Sequence, residues 1–247
     1  MADLADSCNG SREQACEAAV SIEMLHAASL VVDDLPVLDD TSMRRGTLSL
    51  HKRFGEAAAI LTAHALVAAA FEVVAQISTE PKRLLRITES LAAAIGARGM
   101  ARAELVDRCD SVGSDTDVRA LKTGSLFQMA AHIGAVLAGA EAELVEDLGQ
   151  LGLRLGICYQ LVDDVRDEFI DANRGPLREA GRLSWQQSVE LFNVVRGRLL
   201  KTHPMEMWLS CFHNAGAKIV DAPAFGPQNE PQPELVRTKA GGEEEQL

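Results

Sequence analysis

Two groups of aspartates stand far apart in the chain, Asp33-Asp34-Leu35-Pro36-Val37-Leu38-Asp39-Asp40 and Asp163-Asp164-Val165-Arg166-Asp167. Neighbouring carboxylates repel unless a cation or a basic partner compensates them, so each group invites a hard divalent ion held through oxygen. In the second group Asp163 and Asp167 are four residues apart and project from one helical face, about a turn from each other. In the first, Asp33 and Asp39 are six apart, about 240° around an ideal helix, and converge only if Pro36 breaks it. Mg²⁺ takes few carboxylates and completes its shell with substrate phosphates. Basic residues suited to such phosphates follow both groups: Arg44-Arg45, then Lys122 in Lys122-Thr123-Gly124, then Arg174 and Arg182. Singly these are ordinary surface charges. Together with the aspartates they outline a diphosphate site whose charge is shared between metal and cationic side chains.

Such a site needs rigid elements behind it, and the apolar pattern supplies helices. The 247 residues are 47% hydrophobic but only 4% aromatic, which favours close-packed Ala, Leu, Val and Ile helices over a β-sandwich. Helical spacing runs over Gln14 to Val32, Glu56 to Ile77, Lys82 to Ile95, Asp117 to Leu137 and Glu141 to Phe169. Gly96 to Gly99 interrupts the pattern, Asp110 to Asp117 reads as a polar loop, and no strand with a two-residue period is evident. Beyond Asn173 the pattern weakens: Ser184 to Leu200 fits a helix, and Ala222 to Leu247 has the composition of a disordered tail. The expectation is an all-α, single-domain bundle over 1–221 with a loose tail over 222–247.

Composition narrows the partners. A formal net charge of −12 argues against nucleic acid and against an anionic membrane surface. The longest apolar run, Ala57 to Phe71, holds His64 and reads as a buried helix instead of a membrane span. His26 and His64 read as packing residues in apolar helices, and five scattered cysteines without a C-x-x-C pair suit a reducing compartment. With no basic-then-apolar pattern after Met1, the expected location is cytoplasmic.

The motifs themselves carry a resemblance. Glu23-Met24-Leu25-His26-Ala27-Ala28-Ser29-Leu30-Val31-Val32-Asp33-Asp34-Leu35-Pro36, then Met43-Arg44-Arg45-Gly46, His51 and Phe54-Gly55-Glu56, resembles the first aspartate-rich region of trans-polyprenyl diphosphate synthases, in particular the geranylgeranyl diphosphate synthase branch. Tyr159-Gln160-Leu161-Val162-Asp163-Asp164-Val165-Arg166-Asp167 resembles the second region, and Lys122-Thr123-Gly124-Ser125-Leu126-Phe127 the family's lysine-threonine helix. The likeness extends from Cys16 to Leu191.

The resemblance implies an isoprenoid-synthase bundle around a central cavity. It implies Mg²⁺ held by Asp33, Asp34, Asp39, Asp163, Asp164 and Asp167, with Arg44, Lys122, Thr123 and Gln160 toward an allylic diphosphate. Arg45 would meet isopentenyl diphosphate, and Arg174 and Arg182 stand where the family has lysines. Leu25, Ala28 and Ser29 would set product length, the small pair leaving room for twenty carbons. A homodimer, or a heteromer with a related synthase, is implied as well. Two features depart from the family pattern: nothing matches its amino-terminal helices with their Gly-Lys-Arg segment, and Gly99-Met100-Ala101-Arg102-Ala103-Glu104-Leu105-Val106-Asp107 carries Glu104 where the family has glutamine. A prenyltransferase is the first reading. A non-catalytic small subunit that pairs with a complete synthase and alters its product is the alternative, and a plain helical scaffold with solvated acids is the third.

Overall fold

The computed structural model describes residues 11–108, 118, 120–167 and 190. The expected polar loop over 110–117, Arg174, Arg182, the helix over 184–200 and the tail over 222–247 lie outside the described residues, as do the side chains of Asp163, Asp164 and Asp167.

Helix α1, Arg12–Asp33, begins where Ser11 Oγ accepts the Gln14 N–H at 3.3 Å, with Glu13 in the first turn beside the positive end of the helix. After a loop, two strands of two residues each, β1 (Met43–Arg44) and β2 (Thr47–Leu48), pair antiparallel with Arg44 opposite Thr47. This hairpin was not expected from the pattern. Its strands are too short to display a period, but its Arg45-Gly46 turn has φ of 50° and 79°, the doubly left-handed form that matches strand twist. A short helix α2, Leu50–Phe54, turns sharply at Gly55 (φ 88°) into α3, Glu56–Gln76. Helix α4, Pro81–Ile95, places Pro81 at a first-turn position that needs no N–H donor, and α5 spans Met100–Arg108.

The helix expected from Asp117 to Leu137 is split. Ala120–Gly124 forms a π-helical turn that leads into α6, Ser125–Leu137, and α7 follows at Ala142–Asp167. The split coincides with close packing: a Cβ on Gly156 would sit 2.7 Å from Gly124 Cα and 3.0 Å from the Thr123 carbonyl oxygen. One turn earlier, a Cβ on Gly152 would sit 2.5 Å from the Phe127 carbonyl. Glycines at 152 and 156 thus bring α7 against the backbone of the π turn and α6.

Helix α1 lies between α3 and α6, α7 covers the other side of α6, and α4 closes against α3 and α6. Leu25, Val74, Ile87, Leu91, Ile133, Leu137, Val145 and Leu148 form the shared core. Burying each of these large side chains contributes about 1.5–3 kcal/mol. Arg83 Nη1 donates to the Leu137 carbonyl at 3.1 Å and so satisfies the end of α6. Because the amino-terminal end of α6 adjoins the carboxyl ends of both α1 and α7, the two acidic segments emerge at one end of the bundle.

Helix α3 departs from the expectation of a buried helix. Ala59, Ala63, Ala70 and Val74 are enclosed, but Leu61 is 68% exposed and His64 also faces outward, because among the described residues nothing packs on that side. By length and composition α1 and α3 are long and apolar enough to cross a membrane; both also contribute residues to the shared core.

Gly152→Ala is expected to destabilise the chain by about 1–3 kcal/mol, since backbone atoms must move to admit the methyl group. Urea unfolding checks this; an unchanged midpoint would show that α7 does not pack so closely.

Candidate functional site

The loop after α1 is built to turn. A helix continued through Pro36 would set the proline ring against the Val32 carbonyl and lose a donor, and Leu35 before it is pushed out of helical geometry. Helix α1 accordingly ends at Asp33, and the chain folds back through Leu38 N–H to the Leu35 carbonyl (2.9 Å) and Asp40 N–H to the same carbonyl (3.1 Å). The Asp39 N–H donates to the Asp33 carbonyl at 3.0 Å, which brings the two aspartates together as the sequence required of a broken helix. Buried Leu35 anchors the loop in the core while Pro36 and Val37 stay exposed.

The hairpin returns basic residues to this loop. Arg44 donates from Nε (3.0 Å) and Nη2 (2.5 Å) to Oδ1 of Asp34, which is only 4% exposed. Asp40 accepts from Lys52 Nζ at 2.8 Å, and that bond holds its carboxyl below the ordinary range; His51 Nε2 lies 3.6 Å from the same oxygen. Asp39 pairs with Arg108 from the end of α5. Each of these carboxylates therefore has its own base within the chain.

Asp33 has the hardest position. Burial pushes its pKa from 3.8 to about 6, and the fields of Glu104 and Asp39 add to this while Lys122 and Arg44 oppose it. Lys122 stands on the π turn, a distortion common at functional sites, and pairs with Glu104 from α5. Burial pulls the ammonium down, but the bond to Glu104 and the fields of Asp33 and Asp39 outweigh it, so its pKa lies above the ordinary lysine value. Beside it, Thr123 Oγ1 donates to Gln160 Oε1 and joins the π turn to α7 one turn before Asp163.

The structure thus brings Asp33, Asp39, Lys122, Thr123 and Gln160 to one end of the bundle, turns Asp34 into a pair with Arg44, and leaves Arg45 exposed at the hairpin tip. Asp163, Asp164 and Asp167 fall on the last turns of α7, which ends at the same side. Leu25 and Ala28 are buried on one face of α1; Ser29 is half-buried and donates to the His26 carbonyl at 2.8 Å. Arg108 and the Glu104–Lys122 pair were not anticipated. The signal available was the opposite charges at 104 and 108, four apart and so on one face of a helix.

Among the described residues no three His, Cys, Asp or Glu side chains already converge on one point. The donors nevertheless suit a hard cation: Asp33 and Asp39 offer carboxylate oxygens, and a divalent ion would offset the cost of burial that raises the Asp33 pKa.

A helical bundle with an aspartate-rich helix end facing a lysine-threonine turn defines the class of the isoprenoid synthases. The family profile for polyprenyl synthetase matches residues 1–175, and the chain belongs to that family. It is 37% identical over 169 residues to geranylgeranyl pyrophosphate synthase 11, chloroplastic, of Arabidopsis thaliana, a match that takes in 64% of this chain and 47% of that protein. The chain spans about half the length of the curated relatives it matches. Its fold is that of an FPP/GFPP synthase from Zymomonas mobilis (TM-score 0.70, 28% identity, covering 78% of this chain and 74% of that one). It is also that of a geranyltransferase from Helicobacter pylori crystallised with magnesium and isoprenyl diphosphate (TM-score 0.66, 22% identity, 81% of this chain and 82% of that one).

The raised pKa of Asp33 has a pH consequence in the metal-free chain. Between pH 3.8 and about 6 the folded state keeps a proton that the unfolded state has released, so the Asp33 contribution to stability falls as pH rises through this window. Asp33→Asn should flatten that decline and raise stability at neutral pH. Urea unfolding in chelator at several pH values tests it; parallel curves for the two proteins would refute the assignment.

Proposed function

We propose that the chain acts as a Mg²⁺-dependent prenyltransferase that condenses an allylic diphosphate with isopentenyl diphosphate into a short, twenty-carbon isoprenyl diphosphate. The observation that carries this is the turn that holds Asp39 against Asp33 beside Lys122, at the end of an apolar bundle. Family membership, the geranylgeranyl synthases among its relatives and the magnesium complex of the Helicobacter pylori protein all support it.

Bound Mg²⁺ would stabilise charge on the diphosphate that departs from the allylic carbon. Asp33 at the end of α1 and Asp39 in the loop after it would hold metal, together with Asp163, Asp164 and Asp167 from the last turns of α7. Asp34 would act chiefly through Arg44, whose guanidinium it holds in place and which would meet the phosphates. Lys122 would neutralise phosphate charge, and the Thr123–Gln160 bond keeps the π turn and α7 in register around it. The allylic C–O bond ionises, the alkene of isopentenyl diphosphate attacks the cation, and a proton is lost; Arg45 is the candidate for holding the isopentenyl diphosphate. Leu25 and Ala28 on the apolar face of α1 help to keep water from the cation. Arg174 and Arg182 belong to the same proposal as further phosphate contacts.

Pairing with a second synthase chain, identical or related, is part of this reading and is supported by the apolar face of α3 that no described residue covers, where Ile60 is 42% and Leu61 68% exposed. A cytoplasmic location is the remaining element of this reading, and the free thiol of exposed Cys16 suits a reducing compartment.

Asp33→Ala and Asp39→Ala should each lower turnover by at least about a hundredfold, the scale of losing one group that stabilises transition-state charge, with circular dichroism unchanged. Turnover of allylic and isopentenyl diphosphates with Mg²⁺ is the measurement. Retained activity in either variant would refute the site, whereas a folded wild type that is inactive yet alters the product of a co-expressed complete synthase would favour the small-subunit reading.

Product length follows from the face of α1 below Asp33. Ala28 is enclosed, so phenylalanine there overpacks, at about 1–3 kcal/mol; half-buried Ser29 is the cleaner position. Chromatography of products should show twenty carbons from the parent and fifteen or fewer from Ser29→Phe. A parent that already stops short would remove Ser29 and Ala28 from that role.

A further inference from the structure

Helix α5 reaches the site with two charged side chains of opposite sign. Arg108 pairs with Asp39, at the exposed edge. Glu104 lies deeper: its side chain is 18% exposed, its Oε1 is enclosed, and it is paired with Lys122, whose side chain is 34% exposed. That pair occupies the cation whose field acts most strongly on Asp33, and Glu104 adds a negative charge that acts on the same carboxylate. A neutral amide of the same size could still bond Lys122 without that charge. A diphosphate approaching Lys122 therefore meets an ammonium already neutralised and a carboxylate of its own sign.

We infer that Glu104 competes with the incoming diphosphate for Lys122 and thereby sets how tightly this site holds it. The inference rests on the diphosphate reading of the site. In the resting chain the Glu104–Lys122 pair is closed; when a diphosphate enters, Lys122 exchanges one anionic partner for another and the Glu104 carboxylate must swing out toward solvent. Glu104 is a positioning residue, acting through Lys122, and no covalent step involves it. Lost attraction between partly exposed charges is modest, so the effect on affinity is on the order of fivefold.

The test is calorimetric binding of inorganic pyrophosphate, in saturating Mg²⁺, to the full chain and to Glu104→Gln, Glu104→Asp, Lys122→Gln and the Glu104→Gln/Lys122→Gln double variant. Tightening of about fivefold in Glu104→Gln, little change in Glu104→Asp, and a much smaller gain when Lys122 is absent are expected. The same variant should lower KM for the allylic substrate more than it changes kcat. Should the glutamine variant not fold, Glu104→Ala frees Lys122 equally and carries the same expectation. Unchanged or weaker binding in Glu104→Gln overturns the inference alone, as does a gain that persists undiminished without Lys122. A folded wild type and a folded Glu104→Gln that both ignore pyrophosphate overturn the inference together with the diphosphate reading beneath it.

Discussion

Several carboxylates crowd the rim of an apolar bundle, and the remaining arrangement at this end of the molecule answers their mutual repulsion. Two unit charges 4 Å apart interact by about 4 kcal/mol at the effective dielectric of a protein surface, enough to open the loop after α1 if left uncompensated. The chain compensates them one by one: Arg44 on Asp34, Lys52 on Asp40, Arg108 on Asp39. Asp33 is the exception, facing a lysine that is itself engaged by Glu104, and it carries the raised pKa. An external cation beside Asp33 would offset that cost of burial.

Compensation at this density demands that several elements end at the same place. Helix α1 stops before Pro36, the hairpin returns Arg44, α5 contributes Glu104 and Arg108, and the π turn presents Lys122. Close approach of α7 through Gly152 and Gly156 sets the π turn firmly against the helix that bears the second aspartate cluster. Packing and electrostatics are coupled here: a side chain at either glycine would shift the backbone that carries Lys122 and Thr123.

Much of this was legible in the residues. The convergence of Asp33 and Asp39 followed from Pro36, because a proline three residues on leaves an ideal helix no way to continue. The long helices followed from apolar spacing, with boundaries shifted by only a few residues at Ser11 and Asp33. The hairpin and α2 were not legible, since elements this short show no period. The exposure of His64 and Leu61 was missed for a different reason: an apolar residue on an Ala-rich helix looks the same whether or not another element covers it.

Where the long apolar helices run, where the acidic helix end must turn and which family the motifs belong to were determined by the sequence alone, because they depend on backbone sterics and on residues close together along the chain. Which base answers which acid was decided only by the tertiary structure. Glu104 and Lys122, or Arg108 and Asp39, are apart in the chain and meet because α5 packs on the π turn and reaches the loop after α1. Charge pairing acts over a few ångströms of space, and no local pattern specifies which distant side chains the packed helices bring within that distance.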